Sequence, residues 1–273
     1  MEKKSRQLHF VKMDPSGNTT ILVLNSLPRK EYPWIAARLM EDRCLCAEQV
    51  GYVEATQTPG SAGRLHMMGG EFCGNAARSF AAYLALREET GDEIPIEISG
   101  HDGILTAKVK RGEGEASCDA AVEMPLPQNI LHGATAFFGR YSLVIFEGIS
   151  HMILWEKEPF EEAVGQTEKF LQEAGLDTEC FGVLFFREET EEMIPVVTVK
   201  SVESVVWESS CGSGTVAAAC AMADLQKVSI LRKEIRQPGG SLFISIERRG
   251  DGTLCRAILS GKVLEVAEGT VYL

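Results

Sequence analysis

Two stretches narrow the folds open to this chain more than anything else in it. Residues 69–85 read GGEFCGNAARSFAAYLA, and residues 207–222 read WESSCGSGTVAAACAM. Each places a cysteine and a glycine at the mouth of an alanine-rich segment that is apolar on most sides when wound as a helix. A helix apolar all round is a buried one, so the rest of the chain must enclose two of them. At 273 residues it has the length to do so, as one large domain or two modest ones.

Most of what surrounds these helices reads as strand. In the first half RQLHFVKM, TTILVLNS, VGYVEATQ, IPIEISG, GILTAKVKR and CDAAVEMP alternate or run apolar. In the second half YSLVIFEG, HMILWE, FGVLFFREE, IPVVTVKS, LFISIER, CRAILSGKVLEV and GTVYL do the same. Two further helices, YPWIAARLMED and PFEEAVGQTEKFLQEAG, are amphipathic, the second closing at a glycine. The order is strands, buried helix, strands, given twice. The proline-bearing MPLPQN near residue 125 is the natural seam, giving halves at 1–125 and 126–261. The shared Cys-Gly helix start is the visible trace of a duplication.

The charge balance, 27 basic against 39 acidic residues for a net −12, argues against nucleic acid or an anionic membrane as partner. The basic runs MEKKSR and LRKEIR read as solvated faces. No apolar stretch approaches the roughly 18 residues of a spanning helix, and MEKKSRQLHFVKMDPSG lacks the apolar core of a signal peptide. A cytoplasmic protein is expected, with its eight cysteines as reduced thiols rather than a disulfide framework. Cys44 and Cys46, in RCLCAEQV, lack the further Cys or His that would complete a tetrahedral set, so no metal site is expected. Cys118, Cys180, Cys220 and Cys255 stand outside any motif and read as structural.

A helix N-terminus carries unpaired backbone N–H groups and a partial positive charge. A cysteine placed there has its thiolate stabilised, so its pKa is expected to fall. The N–H groups that follow, from Gly74 and Asn75 in one half and Gly212 and Ser213 in the other, can hold a carboxylate. If two such ends face one another, the sulfurs of Cys73 and Cys211 flank the carbon bearing that carboxylate. One thiolate takes a proton from one face while the opposite thiol delivers one to the other, and the centre inverts. The donors on the carboxylate also stabilise the enolate-like charge of the transition state. The alternative is a small residue at a tight turn in each half. Two matched sites, each opening a buried helix, favour the chemical reading.

At these residues the sequence resembles a known family. EFCGNAAR and SCGSGTVA resemble the two active-site motifs of the diaminopimelate epimerase family, the pyridoxal-phosphate-independent amino-acid racemases. FVKMDPSGNTTILV resembles the family's first strand and loop, which implies Asn18 at the substrate carboxylate. EGISHMIL resembles the segment with an active-site histidine, here His151, and RQPGGSLFISI the late Pro-Gly-Gly turn. Glu208, just ahead of the second cysteine, joins the implied substrate-binding set. The resemblance spans almost the whole chain. It implies an α/β (α+β) fold of two similar domains, each a curved mixed or antiparallel sheet wrapped around a buried central helix. It also implies that the C-terminal strand, 262–273, joins the first domain. No cofactor, a small amino-acid substrate and a homodimer follow from the same resemblance.

The departures from the family bear on the substrate. Met67 and Met68 stand where it has Asn-Ala-Asp-Gly, Ile149 and Leu184 where it has asparagines, and Val202 and Glu203 where it has a Glu-Arg pair. A guanidinium is the natural bidentate grip on a distal carboxylate, and here it is lost. PSGNTTILV, CAEQVGYVEAT, GEFCGNA, WESSCGSGT and RQPGGS instead resemble the branch that racemises histidine for a staphylopine-like metallophore. A flat, weakly basic imidazole suits an apolar pocket with one acid, and Glu48 is the expected acid. The alternatives are diaminopimelate, another amino acid with a neutral side chain, or a ligand-binding protein whose cysteines no longer turn over.

Overall fold

The computed structural model describes residues 6–87, 91–114, 116–176, 178–200 and 204–273. The chain divides into two units, Met1–Glu123 with Ser260–Leu273, and Met124–Leu259.

The first unit runs β1 (Gln7–Asp14), β2 (Thr20–Val23), α1 (Tyr32–Met40), β3 (Gln49–Glu54), β4 (Gly63–Met67), α2 (Gly74–Arg87), β5 (Glu93–Ile98), β6 (Leu105–Arg111) and β7 (Ser117–Glu123). The two parallel pairs, β2 with β3 and β4 with β5, are those joined through a helix, as a parallel connection requires. The other neighbours are antiparallel hairpins. α2 packs on β2 and β4 to β7 and is buried from Gly74 through Ala82. α1 covers a second core, where Ile35 and Leu39 meet Ile21, Val50 and Tyr52. The Tyr32 and Tyr52 rings stack there at 3.6 Å.

The second unit runs β8 (Asn129–Thr135), β9 (Gly139–Ile145), β10 (Ile149–Trp155), α3 (Ala163–Glu173), β11 (Cys180–Arg187), β12 (Glu192–Val199), β13 (Ser204–Trp207), α4 (Gly212–Gln226), β14 (Ile230–Gln237) and β15 (Gly240–Arg248). The last strand, β16 (Leu254–Tyr272), gives its first residues to this unit and the rest to the other. Parallel pairs again span the helices: β10 with β11 across α3, and β12 with β14 across α4. β11 is buried on both faces, so it reads as a continuous apolar run. Phe181, Val183 and Phe185 point to the α3 core, while Gly182 and Leu184 take the alternate side. α4, buried from Gly214 through Ala223, packs on β9, β10, β11, β14 and β15.

One sequence reading is amended. CRAILSGKVLEV and GTVYL form one strand, because the ladder to β1 carries through Gly269, opposite Phe10, and a bulge at Lys12/Met13 absorbs the irregularity. LRKEIR lies within β14, its charges outward and Ile235 buried. The run MEKKSR lies largely outside the described residues, as do Val202 and Glu203.

In the first unit β16 pairs with β1 from Gln7↔Tyr272 to Asp14↔Leu264, and its Glu265 N–H donates to Ala116 O ahead of β7 at 2.8 Å. The sheet order β1 to β7 therefore closes through β16 around α2. Arg78, fully buried on α2, ties the helix to that sheet by donating to Ala120 O and Lys262 O.

Candidate active site

In the first unit Cys73 caps α2. Its carbonyl accepts from the Ala77 N–H at 2.9 Å, and its Sγ accepts from the Ala76 N–H at 3.4 Å. The thiol donates to Gln49 Oε1 at 3.0 Å, which brings the start of β3 to the start of α2. The neighbouring residue, Glu48, is half-buried, and its Oε2 accepts from Asn18 Nδ2 at 2.8 Å. Asn18 is buried and its Oδ1 has no hydrogen-bond partner. Asn75 Oδ1 accepts from Arg78 at 3.1 Å, which fixes the side chain behind the helix mouth. The loop that leads to Glu48 is held by Lys12, whose Nζ donates to Leu45 O and Cys46 O at 2.8 and 2.9 Å.

In the second unit Cys211 is the cap of α4, with the same two bonds. Its carbonyl accepts from the Thr215 N–H at 3.0 Å and its Sγ from the Gly214 N–H at 3.4 Å. Its own N–H donates to Gln237 Oε1 at 2.8 Å, and Gln237 Nε2 donates to Thr215 Oγ1 at 2.9 Å. A Cβ at Gly214 would lie 2.9 Å from Leu184 and 3.2 Å from the Cys211 sulfur. Glycine is thus what lets the sulfur lie over the helix end. His151, on β10, is buried, and its Nε2 lies 2.9 Å from Ser213 Oγ. Glu208 hydrogen-bonds at the Cys211 thiol, and its backbone N–H donates to Pro195 O.

The expected fall in thiol pKa is overturned. Burial pushes Cys73 up to about 11; the Ala76 and Asn75 N–H groups pull it down, and Glu71 adds to the rise. Cys211 is raised well above its ordinary 9.0, by burial first and then by the Glu208 carboxylate, against the pull of Ser213 and the Gly214 N–H. The helix ends act as expected, but desolvation of a thiolate outweighs them. Both cysteines are therefore thiols at neutral pH in the free protein. Burial alone lowers His151 to about 3, so it is neutral.

The first unit thus gathers Asn18, Glu48, Cys73, Gly74 and Asn75, and the second gathers His151, Glu208, Cys211, Gly212 and Ser213. Of the substituted positions, Met67 is fully buried in β4, Met68 packs on the α1 core, and Leu184 lies against the start of α4. The sequence reading missed Gln49 and Gln237, which touch the two cysteines. Gln49 stands inside the quoted AEQV and Gln237 inside RQPGGS, but only the folded chain shows which way an amide points.

Against known proteins, residues 7–272 match the profile described as the histidine racemase CntK N-terminal domain. A protein named histidine racemase from Fusobacterium nucleatum subsp. nucleatum is 34% identical over 100% of both chains. Another of that name from Staphylococcus aureus is 29% identical and covers 97% of this chain and 98% of its own. Among solved structures, a PhzF-family phenazine biosynthesis protein from Bacillus anthracis matches with a TM-score of 0.69 at 14% identity, over 98% of this chain and 99% of its own. A probable proline racemase from Agrobacterium radiobacter matches with a TM-score of 0.62 at 11% identity, over 97% and 92%. At these identities the two structures speak for the fold alone.

Proposed function

This chain belongs to the histidine racemase family, and on that premise we propose that it interconverts L- and D-histidine with two cysteines as acid and base. It is an amino-acid racemase, an isomerase. In the proposed step one of the two thiols, Cys73 or Cys211, first gives its proton to solvent, and the resulting thiolate takes the α-proton and becomes a thiol again. The opposite thiol gives its proton to the other face of the carbanion and becomes the thiolate, so charge and protons balance. The observation that carries this reading is the matched pair of caps, each a sulfur over the N-terminus of a buried helix.

The N–H groups of Gly74, Asn75, Gly212 and Ser213 are proposed to hold the substrate carboxylate and the negative charge that spreads onto it. Asn18 has one amide N–H committed to Glu48. Its second N–H is assigned to the carboxylate, and its unpartnered Oδ1 suits a donor such as the α-ammonium. Glu48 is proposed to accept from the imidazole, with His151 and Glu208 lining the second half of the site. The reaction asks for no pyridoxal phosphate or metal. The metallophore resemblance suggests D-histidine as the product drawn onward, in the cytoplasm, by a homodimeric enzyme; light scattering tests the dimer.

The deciding experiment compares L-histidine with LL-diaminopimelate, by chiral chromatography and by deuterium uptake at the α-carbon, with and without a chelator. Histidine turnover should dominate by about a thousandfold, because the second carboxylate of diaminopimelate would be left unpaired. Glu48→Gln should raise the KM for histidine while both thiols still react with an alkylating probe. Faster turnover of diaminopimelate, or activity lost to the chelator, would sink the reading.

A further inference from the structure

The assignment of Cys211 as one of two acid–base thiols, on which this inference rests, leaves open what sets its protonation. The sulfur is linked to a buried histidine through one hydroxyl. His151 Nε2 lies 2.9 Å from Ser213 Oγ, and Ser213 Oγ lies 3.5 Å from Cys211 Sγ. At the far side of the ring Nδ1 is buried without a hydrogen-bond partner. It rests over Gly182, its neighbour in the β10–β11 register, where a Cβ would overlap Nδ1.

That geometry selects a tautomer. A proton on Nδ1 would bury an N–H with no acceptor, which is rarer and costlier than an acceptor with no donor. The proton therefore sits on Nε2 and is donated to Ser213 Oγ. With its oxygen engaged as acceptor, the Ser213 hydroxyl turns its own proton to the sulfur.

We propose that Ser213 is a positioning residue whose hydroxyl, oriented by neutral His151, donates to Cys211 Sγ and favours the thiolate of this cysteine. The charged side chain beside the sulfur is Glu208, which acts in the opposite sense. Leu184 on β11 and Gln237, which holds the Cys211 N–H, are uncharged. Burial keeps His151 neutral through the working pH range, so it orients the hydroxyl without itself titrating. No bond breaks in the relay; only the thiol proton is exchanged.

The test is iodoacetamide labelling of the full-length protein across alkaline pH, read at each cysteine by peptide mass spectrometry. Ser213→Ala should slow labelling of Cys211 about tenfold at a given pH, a shift of about one unit, and leave Cys73 within about twofold. Ser213→Thr should restore the wild-type profile. His151→Phe, which removes the donor that orients the hydroxyl, should shift Cys211 in the same direction by less. A Cys211 profile in Ser213→Ala that superimposes on wild type overturns the proposal, as does an equal shift at Cys73. If Ser213→Ala yields no folded protein, His151→Phe decides alone, and no shift there overturns it. Labelling needs no substrate, so variants that show the expected shifts beside a wild type that leaves L-histidine unchanged would sink the functional reading and not the relay.

Discussion

Cys73 and Cys211 open helices whose N–H groups favour their thiolates, yet both are held as thiols, and the largest reason is burial, which no local motif contains. Which residues stand at the helix mouths was legible in the sequence, since Cys-Gly before an alanine-rich run is a local pattern. Their ionisation was not, because the burial that dominates it is supplied by folding, although Glu71 and Glu208 stand in the motifs themselves. The consequence has a sign. A thiol whose pKa rises from 9.0 to about 11 on folding contributes stability below about pH 9 and loses it as pH climbs through 11. Alkylation of Cys73 in the free protein should therefore be slow at neutral pH and gain about tenfold per unit above it, levelling near 11. A labelling plateau near pH 8 would contradict this. Cys73→Ser and Cys211→Ser should each abolish racemisation, since serine is a far weaker acid and base. Each single variant should keep deuterium exchange from one enantiomer only. Near wild-type racemisation in both would make the cysteines structural.

The elements were legible wherever one period dominated. α2 and α4 stood out because alanine-rich runs with no polar face have one use in a globular fold, and β11 because its run is apolar on both faces. β4, β8, β13 and β14 went unread. GRLHM is short and opens on glycine, NILHGAT is mostly exposed, SVVW is four residues long, and the charges of ILRKEIRQ mask a strand with a bulge between Ile230 and Lys233. Pairing partners, not local preference, make these strands. The start of α4 shows the same priority. Gly214→Ala should gain about 1 kcal/mol in helix propensity. Its Cβ would press on Leu184 and the Cys211 sulfur at 2.9 and 3.2 Å, a strain of about 1–3 kcal/mol. The expected outcome is a melting temperature unchanged or lowered, with kcat down at least about tenfold because the sulfur is displaced. Raised stability with full activity would show that the sulfur does not need the glycine.

At the scale of the molecule, the chain ends by completing the sheet with which it began. The ladder from Gln7↔Tyr272 to Asp14↔Leu264 leaves β1 no free edge on that side. Val263 is fully buried, and Arg87 holds Glu265 in a paired contact at 2.8 and 2.9 Å. Arg78 has its guanidinium wholly inside the first unit, with Lys262 O as one acceptor. A truncation after Ser260 removes that acceptor along with the strand. An unpaired buried donor costs about 1–3 kcal/mol, more for a charged one, and the lost ladder adds to it. Residues Met124–Leu259 form their own unit with its own α4 core. The truncated protein should therefore lose the first unit and keep the second. Cys118 and Cys220 report the two separately, because both are buried thiols with raised pKa in the intact fold. After truncation Cys118 should label at the rate of an unfolded thiol, while Cys220 stays protected and racemisation is lost. If Cys220 becomes reactive to the same extent, the two units fold as one. If Cys118 stays protected, the final strand is not what closes the first.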